Sequence, residues 1–121
     1  MIFHITEKDR FISSLESGSY TPENFTSDKF IHCSTKEQAI TVANRYYAAQ
    51  SDLILLAIDT TAIETQIIYE NLDGGEELFP HLYGALMIRD IHQIAYLQWN
   101  ESGFSFPIDW YPISDIDYMV K

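Results

Sequence analysis

"FIHCSTKEQAITVANRYYAAQSDLILLAID", residues 30–59, is the stretch on which the fold turns. "FIHC" is apolar and β-prone, and reads as a strand piece. In the run that follows, Ile40, Ala43 and Tyr47, with Ala39, Val42 and Tyr46 beside them, make one broad apolar face at helical spacing. Ser34 and Glu37 fit an S-x-x-E capping box, and Thr35 with Gln38 fits the same template one residue on. "DLILLAID" is then a continuous apolar run of strand length, as expected for a central strand covered on both faces.

Working outward, "MIFHIT" reads as a strand, and "TEKD" as a helix start with Thr6 as its cap. Phe11, Ile12 and Leu15 share a helical face that stops near Gly18. "YTPENFTSDK" is polar and turn-rich, hence a loop. Downstream, "QIIYE", "HLYGALMI" and "IHQIAYLQWN" read as strands. In the last of these Ile91, Gln93, Ala95, Leu97 and Trp99 oppose His92, Ile94, Tyr96 and Gln98. "LDGGEE" is a turn, "NESG" a hairpin turn into "FSF", and the tail "IDWYPISDIDYMVK" is apolar enough to pack. The order strand, helix, strand, helix, several strands predicts one α+β domain over 1–121, with two main helices, and not a βαβ alternation.

The chain has 121 residues, a net charge of −11, and only seven Lys and Arg. That charge argues against DNA or RNA backbone as a bulk partner and against anionic membranes, while leaving room for a small ligand in a local pocket. No run is long and apolar enough to span a bilayer, no signal-peptide pattern opens the chain, and Cys33 is the single cysteine. These features predict a soluble, cytoplasmic protein. They assign no oligomeric state.

Chemistry has to come from few residues. His4, His32, His81 and His92 show no metal-ligand spacing, so no metal site is predicted. Nucleophile-elbow, dinucleotide and P-loop patterns are absent. Cys33 alternates with His32 and is expected in the core. Taken alone, His4 and His32 each read as half-buried histidines bonded to backbone, and His92 as an outward residue. His81 follows Pro80 and precedes Tyr83–Gly84, which predicts a tight turn carrying His81 and Tyr83 to a rim. Gly84 would admit a close approach by an element or a ligand. Glu70 ends a strand, a place that suits a catalytic carboxylate and a solvated one equally.

The segments "IFHIT", "SYTPENF", "KFIHCSTKEQ", "DLILLAID" and "YENLDGGEELFPHLYGAL", in that order, resemble the small bacterial proteins grouped as domain of unknown function 952. The resemblance spans about residues 2–99 and leaves 100–121 as an extension. Lys29 stands where that family usually has glycine, and Ala85 where it usually has proline. The resemblance implies an ADP-ribosyltransferase-like fold, a split mixed or antiparallel β-sheet with a cleft that holds NAD in active relatives. "FIHCSTKEQAITVANRY" is also similar to a stretch of RNA 2′-phosphotransferases.

By that resemblance His4 and His32 line the cleft with Ser34, and Glu70 or the His81–Tyr83 pair completes it. Glu70, His32 and His81 are then the catalytic candidates, and His4, Ser34, Thr35 and Tyr83 the ligand-binding ones. A carboxylate at Glu70 suits an oxocarbenium-like state, as in glycoside hydrolysis. Tyr69 or Tyr83 would stack on nicotinamide, the helix N-terminus at Ser34–Thr35 would meet pyrophosphate, and Arg45 would add a cation. NAD is thus expected as substrate, with no resident cofactor. A non-catalytic module holding a small ligand or nucleotide in the same cleft is the alternative, and a purely structural domain the third.

Overall fold

Leu53–Ile58 are six consecutive buried residues, and the rest of the chain is arranged on their two faces. The computed structural model describes residues 1–118. In chain order it contains β1 (Ile2–Glu7), α1 (Lys8–Ser14), β2 (Ser19–Tyr20), α2 (Phe25–Asp28), β3 (Ile31–His32) and α3 (Lys36–Tyr46). Then follow β4 (Leu53–Ile58), β5 (Gln66–Glu70), β6 (Phe79–Tyr83), β7 (Leu86–Met87) and β8 (Ile91–Leu97), with 3-10 turns at Ile88–Asp90 and Ile113–Tyr118. The strands form three sheets with orders β1-β4-β8, β2-β7 and β3-β6-β5, and every ladder in them is antiparallel.

The apolar run of β4 works as expected of a doubly covered strand. Ile54, Leu56 and Ile58 point into one cluster with Ile2, Phe11, Tyr20, Ile31 and Leu82. Leu53, Leu55 and Ala57 point into a second, with Phe3, Ile5, Ala39 and Ala43. Each buried Leu, Ile or Phe among them stabilises the fold by about 1.5–3 kcal/mol through burial. The first cluster joins sheet β1-β4-β8 to sheet β3-β6-β5, and the second seats α3. The two sheets also touch through backbone: Phe3 and Ser34 exchange N–H···O bonds of 2.8 Å in both directions. Ile116 is buried in the first cluster, and Tyr111 bridges to Ile94. Of the tail expected to pack, 119–121 lie outside the described residues.

Several expectations need correction. Beside the two main helices, α1 and α3, a third among the described residues, α2, condenses four residues of the segment read as loop. Thr6 stays in β1, and Glu7 occupies the cap position of α1. The capping box of α3 is Thr35 with Gln38, whose carboxamide oxygen accepts the Thr35 N–H at 3.0 Å; the Ser34–Glu37 version is one residue early. "FPHLYG" is no tight turn, since Phe79–Tyr83 run as the middle strand of their sheet. The strand read through "HLYGALMI" breaks at Gly84, φ +156, where an added Cβ would lie 2.9 Å from Thr65 Cγ2. That close approach is by an element of the chain. A bulge at Ala57/Ile58 pairs Ala57 with Gln93 and Ile58 with Ile91, so Ile91 joins Ile94 on one face, against simple alternation. Asn100 and Gly103 close the predicted turn, but Phe104 continues into the second cluster without forming a strand.

Lys29 shows why its position favours glycine: it caps α2 in the left-handed region at φ 72, with its N–H on the Phe25 carbonyl at 2.8 Å. A Cβ there is strained. Lys29→Gly is expected to raise the urea-measured unfolding free energy by about 1 kcal/mol. A loss of stability would contradict the assigned cap.

Candidate functional site

Strand register builds the site. β3 pairs Ile31 with Leu82 and His32 with His81, while β5 pairs Gln66 with Tyr83, Ile68 with His81 and Glu70 with Phe79. Cross-strand partners share a face and neighbours along a strand alternate. Ile31, Leu82 and Ile67 therefore turn into the core. His32, His81, Tyr83, Ile68 and Glu70 turn to the other face. Phe30, two residues before His32, joins them and packs at their centre, only 4% exposed. Its ring centroid lies 4.1 Å from that of His81, 4.7 Å from His32 and 5.3 Å from Tyr83, the last stacked at 22°. The two imidazoles meet edge to face, 5.4 Å apart.

Hydrogen bonding fixes protonation. Glu70 Oε2 accepts from His81 Nδ1 at 2.9 Å and from the Tyr83 hydroxyl. A carboxylate only accepts, so the His81 proton sits on Nδ1, and the neutral ring keeps its lone pair on Nε2. No fully buried side-chain nitrogen or oxygen lacks a partner among the described residues, and Nε2 makes no hydrogen bond; it therefore reaches solvent. The Tyr83 hydroxyl first, and His81 second, hold the Glu70 carboxyl below its ordinary range, while Glu70 pushes the Tyr83 phenol up. His32 is arranged likewise: Nε2–H donates to Asp28 Oδ2 at 3.0 Å, and Asn24 donates to the same oxygen at 2.7 Å. The side chain of His32 is 56% exposed against 7% for His81. The face thus carries two imidazole–carboxylate pairs, one fixed and deep, one shallow.

The other expected residues separate from this cluster. His4 belongs to the core: Nδ1 lies 2.6 Å from the His32 carbonyl and Nε2 3.0 Å from the Tyr20 hydroxyl. It does not face a ligand. Burial drives its pKa from 6.5 down to about 4, and pushes the Tyr20 phenol up to about 12. Ser34 is buried with its N–H on the Phe3 carbonyl, and the Thr35 N–H is held by Gln38, so neither amide is free for a phosphate. Tyr69 lies on the opposite face of β5 from Glu70, which leaves Tyr83 as the tyrosine of the site. Arg45 lines a separate hollow of about 340 Å³ with Tyr46, Asp73, Glu76, Glu77 and Phe79. Cys33 is in the core as expected, its thiol pushed up by burial. No group of three or more potential ligands could hold a metal ion among the described residues. No helix there is long and apolar enough to cross a membrane.

Sequence reasoning missed Phe30, Asp28 and Asn24. Phe30 was within reach, since period-two alternation places it beside His32. Asp28 and Asn24 depend on α2, which is too short to announce itself.

The model of a family described as "Protein of unknown function (DUF952)" matches residues 5–94. No curated protein matches the chain. Among solved structures, the crystal structure of protein CC0527 from Caulobacter crescentus is similar over 85% of this chain and 90% of its own, with 28% identity and a TM-score of 0.76. The solution NMR structure of CC0527 covers 98% of this chain and 95% of its own, with 26% identity and a TM-score of 0.74.

Core burial of His4 has a consequence for acid stability. Between about pH 6.5 and about pH 4 the unfolded chain takes up a proton at His4 that the folded core excludes, so the unfolding free energy falls with pH. At about 1.4 kcal/mol per pH unit the loss across this window is about 3 kcal/mol. Urea titrations at about pH 7 and about pH 4.5 should show His4→Asn losing much less stability than the parent over that interval. Equal losses would contradict a neutral, buried His4.

Proposed function

The chain belongs to the DUF952 family, and we propose that the outward face of β3-β6-β5 is a nucleotide site of the ADP-ribosyltransferase-like type, with NAD as substrate. The observation that carries this reading is the Glu70 carboxylate, held by His81 and Tyr83 on an aromatic face beside His32. The split between sheets β1-β4-β8 and β3-β6-β5, joined at Phe3–Ser34, supports the matching architecture.

Both hydrogen bonds fall on Oε2, so Oε1 is the oxygen turned to a ribose hydroxyl. The ionised carboxylate stabilises positive charge developing at C1′, and the Tyr83 ring offers a stacking surface to a cationic nicotinamide. The bond from C1′ to nicotinamide breaks with its electron pair leaving on nicotinamide. An acceptor oxygen or nitrogen closes the new bond at C1′, and its proton passes to His81 Nε2, the open lone pair that Glu70 orients. His32, shallow and exposed, meets the acceptor side.

One observation favours a second reading. His4, Ser34 and Thr35, expected at the ligand, are all engaged internally. A face stripped of those contacts suits a module that binds a small ligand without turning it over.

Thermal unfolding with millimolar NAD, together with chromatographic detection of nicotinamide, separates the readings. The enzyme reading predicts a raised melting temperature and release that drops about 10²–10³-fold in Glu70→Gln while the thermal shift persists. A shift with no release supports the binding module. No shift at millimolar NAD contradicts both as nucleotide readings.

A further inference from the structure

His32 is attached to the fold through its backbone. β3 is only two residues long and lies at the edge of its sheet. One residue beyond Cys33 the chain has already crossed to the other sheet, where Ser34 exchanges hydrogen bonds with Phe3. At that crossing the His32 carbonyl accepts from His4 Nδ1 at 2.6 Å, while its imidazole lies on the outer face against Phe30 and His81. The ring and the carbonyl of one residue therefore serve the site and the core respectively.

The protons around His4 can be placed by elimination. A carbonyl only accepts, so His4 carries its proton on Nδ1. Its Nε2 must then accept, and the donor is the Tyr20 hydroxyl at 3.0 Å. That hydroxyl has one proton, so its contact of 2.8 Å with Thr6 Oγ1 is filled by the Thr6 hydroxyl. The result is a one-way chain from Thr6 to Tyr20 to His4, ending on the His32 carbonyl. Tyr20 is 1% exposed and His4 6%, so water does not compete for these groups. The chain reaches no other acceptor at its His4 end.

We infer that His4 is a positioning residue for His32: its Nδ1–H holds the carbonyl of a two-residue strand, and so sets where the His32 imidazole sits against Phe30 and His81. This builds on the assignment of His32 to the site, but the strut itself is independent of NAD.

NMR of protein labelled with 15N-histidine tests the strut. His4 should show the Nδ1–H tautomer with a downfield, slowly exchanging Nδ1 proton. Two replacements then separate the ends of the ring. His4→Asn places an amide donor near the Nδ1 position and keeps the bond to His32, whereas His4→Gln places its amide near Nε2 and does not. The titratable groups facing His32 are Asp28 at Nε2 and His81 across the ring, with Glu70 bonded behind His81. With those unchanged, His4→Gln should displace the His32 side-chain resonances, and His4→Asn should restore them. Tyr20→Phe removes the donor to Nε2 yet keeps the strut, and should leave His32 where it is. The inference is overturned by an Nε2–H tautomer at His4, by a folded His4→Gln with unmoved His32 signals, or by displacement of His32 in Tyr20→Phe. Should His4→Gln fail to fold, the tautomer and Tyr20→Phe still decide. Absence of NAD turnover would leave every one of these signals in place.

Discussion

Two residue pairs, Ile31 with Leu82 and His32 with His81, decide what is core and what is site. The Cys33 N–H on the Pro80 carbonyl, at 3.1 Å, extends that pairing by one bond. A slip of one residue would bring His32 inward and turn Ile31, which is fully buried, to solvent. Burial of Ile31 and Leu82 in the main cluster therefore locks the two imidazoles onto one outer face. The hydrophobic effect fixes the register, and the register assembles the polar groups.

Polar groups on that face are paired locally although the chain is strongly acidic. Each imidazole has one carboxylate, Asp28 for His32 and Glu70 for His81. The shallow His32–Asp28 bond orients its ring more than it adds stability, because exposed pairs of this kind contribute little. Glu70 differs from Asp28 in its donors, a nearly buried imidazole and a phenol on one oxygen. A carboxylate kept ionised beside aromatic rings favours cationic or electron-poor groups over a phosphate, which is the preference that the proposed nucleotide reading requires. The phosphate-binding helix end expected at Ser34–Thr35 is occupied by the protein itself, so any phosphates of a ligand must find other donors.

Much of the fold was legible because periodicity reports burial. "DLILLAID" had to be a doubly covered strand, and the apolar stripe from Ala39 to Tyr47 had to be a helix. Four-residue α2 left no such trace. Pro80 suggested a turn, yet it sits within β6, where its carbonyl accepts the Cys33 N–H. At the site, alternation separated Cys33 from His32 and Tyr69 from Glu70. It could not separate His4 from His32, since β1 is buried on both faces and its pattern does not distinguish inner from outer. The convergence of Glu70, His81 and Tyr83 arises from pairing across β5 and β6, which local sequence does not encode.

Histidine acylation by diethylpyrocarbonate, mapped by mass spectrometry on the folded protein, tests the central arrangement most directly. The reagent needs an exposed, unprotonated ring nitrogen. His32 should be modified rapidly, His81 more slowly through its open Nε2, and His4 not at all until the protein unfolds. A His81 as inert as His4, or a His4 that reacts alongside His32, would contradict that arrangement.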